Sequence, residues 1–341
     1  MRRRTWISLA IALALVAALL TAVYLRKQAP PEVARLLPEA DAIVYFNLRP
    51  LRSLTRFDQH PVAHDPDYQK FIDATGIEFE RDLDQVAFAI HRMADPDGPN
   101  GSVAYSEVFQ GRFDGERLTG YLAAQASAPE LYAGHEIYSL SHDGRTIRVV
   151  VLGYDLVAVS NTPTAEQIHS IIDRYQAAAS PFTGDTLLAR YYSKIPLLSE
   201  AWGIGEIGPP TEPGLQFNVF GLPVSLPVDA TFIGSVRFLG SIHLRLEEIA
   251  PTENAAKESA ALVNLALGMM RSAQVTIGSQ DATAADWDSL IHSITVEHKG
   301  KRAILQAAVP IRLVRSLLSA QKGAMPGPIS PPETSPAPST P

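Results

Sequence analysis

Hydrophobic positions follow three different patterns along this chain. From Trp6 to Leu25 they form a run of twenty residues without a charge, closed by Arg26 and Lys27. At a helical rise of about 1.5 Å per residue such a run spans about 30 Å, the thickness of a bilayer's hydrocarbon core, and so predicts a transmembrane helix within residues 1–27. Between residues 28 and 322, apolar positions recur with periods of about two and about 3.6, the marks of half-buried strands and amphipathic helices. From Gly323 to Pro341 there is no period: seven of the last sixteen residues are Pro, and Glu333 is the sole charge. Such a segment has too little apolar surface to offset its ordering entropy, which predicts a disordered tail.

Pro30-Pro31 and Pro38 frame a short helix, Glu32 to Leu37, and the apolar run Ala42 to Leu48 predicts a buried strand. Asp65-Pro66 starts and Gly76 stops a helix over Asp67 to Thr75. Strands are predicted at Val86 to His91 and Val103 to Gln110, and Asp114 caps a helix from Gly115 to about Gln125. Strands at Glu136 to Ser141 and Arg145 to Val151 flank His142-Asp143-Gly144, where Asp-Gly suits the positive φ of a tight hairpin. Leu156 to Ser160 adds a strand. Thr162-Pro163 opens a helix to about Ala177, with Ile168, Ile171, Ile172 and Tyr175 at helical spacing.

The second half repeats this grammar. Asp185 to Tyr192 reads as a helix, and Phe232/Val236/Phe238 and Ile242/Leu244/Leu246 as two strands around Leu239-Gly240. Thr252 to Arg271 is a long Ala- and Leu-rich helix; Ile291 to His298 and Arg302 to Val309 are strands; Ile311 to Leu318 is a last helix. The order of strands and helices from Val86 to Ala177 recurs from Thr231 to Ser319 without evident identity. Hairpins alternating with helices predict an α+β fold: after the transmembrane helix come two similar lobes of antiparallel sheet with helices packed on one face, at 28–180 and 181–322, and then the tail at 323–341.

The apolar N-terminal run is longer than a secretory signal core, and Leu20 spoils a small-x-small cleavage site, which favours an uncleaved anchor. Trp6 and Tyr24 stand at its two ends as interfacial aromatics do. Three Arg precede the run and two basic residues follow it, so the positive-inside bias leaves the N-terminus cytoplasmic and the body extracytoplasmic, periplasmic where an outer membrane exists. The chain has no Cys, which excludes disulfides, thiol catalysis and a lipidated Cys. The N-terminal segment holds five basic residues and no acidic ones, so the rest carries 24 basic against 36 acidic residues, net −12. A body this acidic repels nucleic acid.

Candidate chemistry is sparse. His60, His64, Asp65 and Asp67 form the densest ligand cluster, but Pro61 and the Asp65-Pro66 helix start argue for a polar turn rather than a zinc face. Glu78, Glu80, Asp82 and Asp84 lack the offsets of a calcium loop and read as a solvated turn or helix start. No G-x-S-x-G elbow accompanies His142-Asp143. His243, Arg245 and Glu247 share the polar face of a strand, and His292 and His298 flank Ile294 and Val296 on another. Gly203-Ile204-Gly205-Glu206-Ile207-Gly208 runs into Pro209-Pro210 rather than into Gly-Lys-Ser/Thr, so no nucleotide loop is inferred. These residues supply no catalytic, cofactor or metal site. Trp202 to Val228 reads as a long irregular loop, rich in Gly and Pro yet apolar; Trp202, Phe217, Phe220, Leu222, Val224 and Leu226 are its candidate partner contacts.

Leu36-Leu37-Pro38-Glu39-Ala40-Asp41 runs into an apolar strand, and Thr75-Gly76-Ile77 and Arg81-Asp82-Leu83-Asp84 precede the next one. In these features, and in its single N-terminal span, the chain resembles a loose class of uncharacterised bacterial envelope proteins. The resemblance implies location and fold and carries over no catalytic residues. The expected function is that of a non-enzymatic, membrane-anchored extracytoplasmic protein that binds an envelope protein partner or an apolar ligand, with no cofactor. The alternatives are a structural subunit or spacer of an envelope complex, and a metal-dependent hydrolase using His60, His64 and Asp67.

Overall fold

The computed structural model describes residues 29–55, 64–98, 100–142, 144–177, 186–206, 216–219, 222–225, 229–238, 240–276 and 282–313. The predicted span and tail lie outside these residues, and among the described ones no helix is long and apolar enough to cross a membrane.

The fold is α+β, built on one large antiparallel sheet. In chain order come α1 (Glu32–Arg35), β1 (Ala42–Asn47), α2 (Leu48–Thr55), α3 (Pro66–Thr75), α4 (Phe79–Asp82), β2 (Leu83–Arg92), β3 (Val103–Gly111), α5 (Gly115–Gln125), β4 (Glu130–Tyr132), β5 (His135–His142), β6 (Arg145–Val151), β7 (Leu156–Ser160), α6 (Glu166–Gln176) and α7 (Thr186–Tyr191). The second half adds β8 (Ala201–Glu206), β9 (Gln216–Val219), β10 (Leu222–Ser225), β11 (Thr231–Phe238), β12 (Ile242–Ile249), α8 (Glu253–Thr276), α9 (Ala282–Ser293), β13 (Thr295–Lys299) and β14 (Arg302–Val309). Twelve strands join in the order β13-β14-β12-β11-β8-β1-β2-β3-β7-β6-β5-β4, while β9 and β10 form a separate hairpin.

Several elements form where local chemistry dictates. The Asp65 carboxylate accepts from the amides of Asp67 and Tyr68 at 3.0 Å and Gly76 ends α3 at φ +73°, as a residue with no Cβ readily does. Asp114 caps α5 through the Arg117 amide. Gly144 turns the β5–β6 hairpin at φ +76°. Ile168, Ile171 and Ile172 are wholly buried along α6.

Alternation along the central strands decides the layers. In β1, Ile43 and Tyr45 point to one face and Val44 and Phe46 to the other; in β2, Ala87 and Ala89 oppose Val86 and Phe88. Both faces are apolar, so both need cover. On the first face, α1, α6 and α7 pack over Ile43, Tyr45, Val108, Ala158, Trp202 and Ile204. On the second, α3 and α5 with the turn at Ile77 pack over Tyr138, Val149 and Val157, and α8 reaches the far end, where Ser259 donates to Glu248 at 3.1 Å. Helices therefore lie on both faces, which corrects the expectation of one helical face.

Three further differences have local causes. The stretch taken as an irregular loop holds strand β8, which pairs with β1 on one side and β11 on the other and so joins the two halves. Its glycines hid the alternation of Trp202 and Ile204. Helix α9 replaces the start of the strand expected from Ile291, so His292 is helical, its Nδ1 2.9 Å from the Asp288 carbonyl, and shares no strand face with His298. Helix α6 begins at Glu166 rather than beside Thr162, whose hydroxyl is bound into a buried network.

Trp202 is 3 % exposed and stacks on Tyr45 at a ring separation of 5.3 Å. Truncating it empties the centre of the first-face core. Trp202→Ala is expected to lower stability by about 3–5 kcal/mol, read as a fall in the urea unfolding midpoint. A loss below about 1 kcal/mol, the usual range for exposed positions, would contradict the core assignment.

Candidate functional site

The second face is not filled evenly. Between the sheet and α3, α4 and α5 lies a cavity of about 230 Å³. Its floor is Phe109, Val157, Val159, Val149 and Leu140, contributed by β3, β7, β6 and β5; its walls are Phe71, Ile77, Phe79, Phe113, Leu118, Tyr121 and Leu122. Among these only the Tyr121 hydroxyl is a polar side-chain group. A cavity so lined offers water few hydrogen-bond partners and favours apolar molecules.

An aromatic cluster roofs the cavity. Phe79 stacks with Tyr68 at 5.3 Å and packs on Phe71 at 5.5 Å, and Phe71 meets Tyr121 edge-on at 5.4 Å. Phe79 is 43 % exposed, so the cluster forms the boundary between cavity and solvent. Polar groups hold this roof from behind. The Tyr68 hydroxyl donates to Glu80 at 2.9 Å and accepts from the Phe79 amide at 2.7 Å. His64 packs edge-on against Tyr68, with its Nε2 3.5 Å from Glu80.

The acidic run is a helix start, with Glu80 and Asp82 in the first turn of α4, and its carboxylates are built into a framework rather than a solvated turn. Asp82 is buried and accepts from the Glu78 amide and from Arg81, with Arg112 nearby at 3.6 Å. Burial alone would raise its pKa; the Arg81 hydrogen bond, the Glu78 amide and the two guanidinium charges outweigh burial and leave it lowered. Asp84, likewise lowered on balance, is held by Arg49 at 2.8 Å and Arg52 at 3.1 Å.

The alternative zinc face is seen only in part. His60 lies outside the described residues, and Asp67 is exposed and turned to Lys70 at 2.9 Å. His64 instead comes together with Glu78 and Glu80, their ligand atoms within 4.8 Å of one another. Glu78 is already paired with Arg81 at 3.2 Å and Glu80 with Tyr68, so this trio completes the roof's polar support.

One polar network had no signal in the sequence. His91 Nε2 lies 2.9 Å from Ser106 Oγ, which lies 3.2 Å from Ser160 Oγ, which lies 2.9 Å from Thr162 Oγ1. A Ser–His contact at this distance invites comparison with a nucleophile and its base. Ser106 is wholly buried, Ser160 1 % and His91 6 % exposed, so no substrate reaches them. The network satisfies polar groups inside the first-face core. At the sheet's far end Glu247, 2 % exposed, is bonded by Arg245 at 2.7 Å and Arg302 at 3.3 Å, and the Ser241 hydroxyl lies 3.0 Å from His243 Nε2. His243, Arg245 and Glu247 do share one strand face, as their spacing indicates.

Of the predicted partner contacts, Trp202 belongs to the core. Phe217, Leu222 and Val224 lie on the β9–β10 hairpin, where Phe217 stands opposite Val224 and Val219 opposite Leu222; Phe220 and Leu226 lie outside the described residues. A second cleft of about 580 Å³ runs beside Tyr45, Tyr192, Trp202, Asn47 and Glu200, but its amide and carboxylate already bond each other at 2.8 Å.

No protein-family model and no curated protein matches the chain. Among solved structures it is similar to three crystal forms of TP0453. Form IV is 13 % identical at a TM-score of 0.44, covering 86 % of this chain and 98 % of that one. Form III is 11 % identical at 0.45, covering 86 % and 99 %, and form I 10 % identical at 0.42, covering 85 % and 97 %. A likeness of this degree carries no functional content.

The buried network sets a pH dependence. Burial holds the His91 pKa below its usual 6.5, against smaller opposing effects of Asp41 and the Glu39 backbone. The unfolded chain then binds the proton more readily, so stability is full above about pH 6.5 and falls as the pH drops towards the folded value. Glu107 and Glu248, whose pKa values burial raises, act in the opposite sense. The unfolding midpoint of the wild type is expected to fall between pH 7 and pH 5, and His91→Gln to flatten that slope. An unchanged slope in the variant would remove His91 as the cause.

Proposed function

We propose that this chain is a membrane-anchored, extracytoplasmic, non-enzymatic protein that binds an apolar ligand in the second-face cavity. The observation that carries the reading is the cavity itself: about 230 Å³ enclosed by aliphatic and aromatic side chains beneath an aromatic roof. An empty cavity forfeits dispersion contacts for every atom lining it, and an apolar occupant restores them. The burial of the His91–Ser106–Ser160–Thr162 network away from solvent supports a binding role. The charge-free run Trp6 to Leu25 supports an anchor, and the Arg bias before it supports an extracytoplasmic body. An anchored body is held where apolar molecules concentrate, which raises its effective encounter with them. The β9–β10 hairpin, paired with no strand of the main sheet, is the proposed contact for an envelope protein partner.

The cavity is tested with toluene, which has no polar group. Toluene at saturating vapour pressure is expected to raise the unfolding temperature of the full chain, because a ligand bound only to the folded state stabilises it by mass action. Leu122→Trp, which fills the cavity from α5, is expected to remove the shift. An absent shift in the wild type, or an equal one in the variant, would contradict the reading. For the hairpin, deletion of Phe217 to Leu226 is expected to abolish cross-linked partner adducts with the unfolding midpoint unchanged. A collapsed fold would show that the segment is core.

A further inference from the structure

The strand register places one carboxyl group at the cavity's edge. Glu107 of β3 stands directly opposite Val159 of β7, and Val159 stands opposite Val149 of β6. Val159 and Val149 both belong to the cavity floor, so Glu107 is the next member of the same transverse row. Along its own strand Glu107 is followed on the same face by Phe109, which also lines the cavity, and preceded by Tyr105, which is 39 % exposed. On its other side it stands opposite Phe88, from which edge-on aromatic contacts run to Phe109 and to Phe46, each at 6.3 Å. Glu107 thus lies between an apolar cavity and the exposed end of an apolar strip.

No described side chain pairs with it. Among the described residues no side chain forms a hydrogen bond or ion pair with the Glu107 carboxyl, and its directly opposed neighbours are a phenyl ring and a valine. Burial, with no compensating partner, raises its pKa. A half-buried acid without a partner costs stability, and proteins usually pair such groups. A ligand that brings a donor to this point would remove that cost.

Resting on the cavity reading above, we infer that the cavity and Glu107 together bind a single-chain amphiphile, whose apolar segment fills the cavity and whose polar end, a hydroxyl or ammonium group, bonds the Glu107 carboxyl. A dry cavity of about 150 Å³ takes a benzene ring, so one of about 230 Å³ takes an apolar segment of roughly nine carbons. The polar end is a donor because Glu107 offers an acceptor. A ligand carboxylate at the same point would set two acids against each other in a poorly solvated place, and one of them would have to take up a proton.

The test uses the full chain in lipid nanodiscs, with empty nanodiscs as the blank, at pH 7.5, and three water-soluble six-carbon probes: 1-hexanol, hexylamine and hexanoate. Saturable binding, read by isothermal titration calorimetry, is expected for hexanol and hexylamine, with hexanoate weaker by about tenfold or more. Glu107→Gln keeps a hydrogen-bonding group of the same size without the acid. It is expected to lose the preference for hexylamine over hexanoate while retaining hexanol. Leu122→Trp, and Val149→Phe as a second filling from the sheet side, are expected to abolish all three. If hexanoate binds the wild type as well as hexanol, or if Glu107→Gln leaves the ratios unchanged, while the filling variants still abolish binding, the head-group inference is overturned and the cavity stands. If no probe binds, or the filled variants that retain a wild-type unfolding transition bind equally, both fall together.

Discussion

The structure depends on one constraint: the central strands of its antiparallel sheet are apolar on both faces. A strand alternates its side chains strictly, so a chain that places Ile43 and Tyr45 inward on one side places Val44 and Phe46 on the other. Two separate layers of helices must then be recruited. The first-face layer closes over Trp202, Ile204 and the isoleucines of α6. The second-face layer is built from the short helices α3 to α5, which meet the sheet through aromatic rings. The cavity lies where these rings meet the valines of β6 and β7.

Polar groups in this protein mostly serve that packing. Asp82 and Asp84 with their arginines hold the turn from α4 into β2. His64, Tyr68 and Glu80 hold Phe79 over the cavity. The His91–Ser106–Ser160–Thr162 chain ties β2, β3 and β7 inside the first-face core. In each case partners are complete, which is what makes the solitary carboxyl of Glu107 stand out. Its neighbours are those of a core residue and its chemistry is not.

How much of this was legible in the sequence follows from the range of the interactions. The caps of α3 and α5 and the Gly144 hairpin rest on atoms a few residues apart, and Asp65, Asp114, Gly76 and Gly144 announced them. Strand β8 was hidden because Gly203 and Gly205 carry no side chain to show an alternation, and its pairing with β1 spans more than 150 residues. The end of helix α9 was missed because Ile291, Ile294 and Val296, all β-branched, read as one strand-forming run across the point where the helix ends. The acidic run shows its helix start in the sequence but not the half-burial of Asp84, whose arginine partners, Arg49 and Arg52, come from a helix some thirty residues earlier. Glu107 alternates with Tyr105 and Phe109 against Ser106 and Val108, a pattern that leaves open which face is covered. Only the register with Phe88 and Val159 shows that its face is the one that α3 and α5 cover.

Native mass spectrometry of the full-length chain, released under mild conditions from the cells that make it, tests the central claim most directly. The account predicts a small apolar molecule bearing a hydroxyl or amine, bound one to one and absent from Leu122→Trp prepared in the same way. A wild-type chain that emerges at its bare mass, or an adduct that persists unchanged when the cavity is filled, would contradict it.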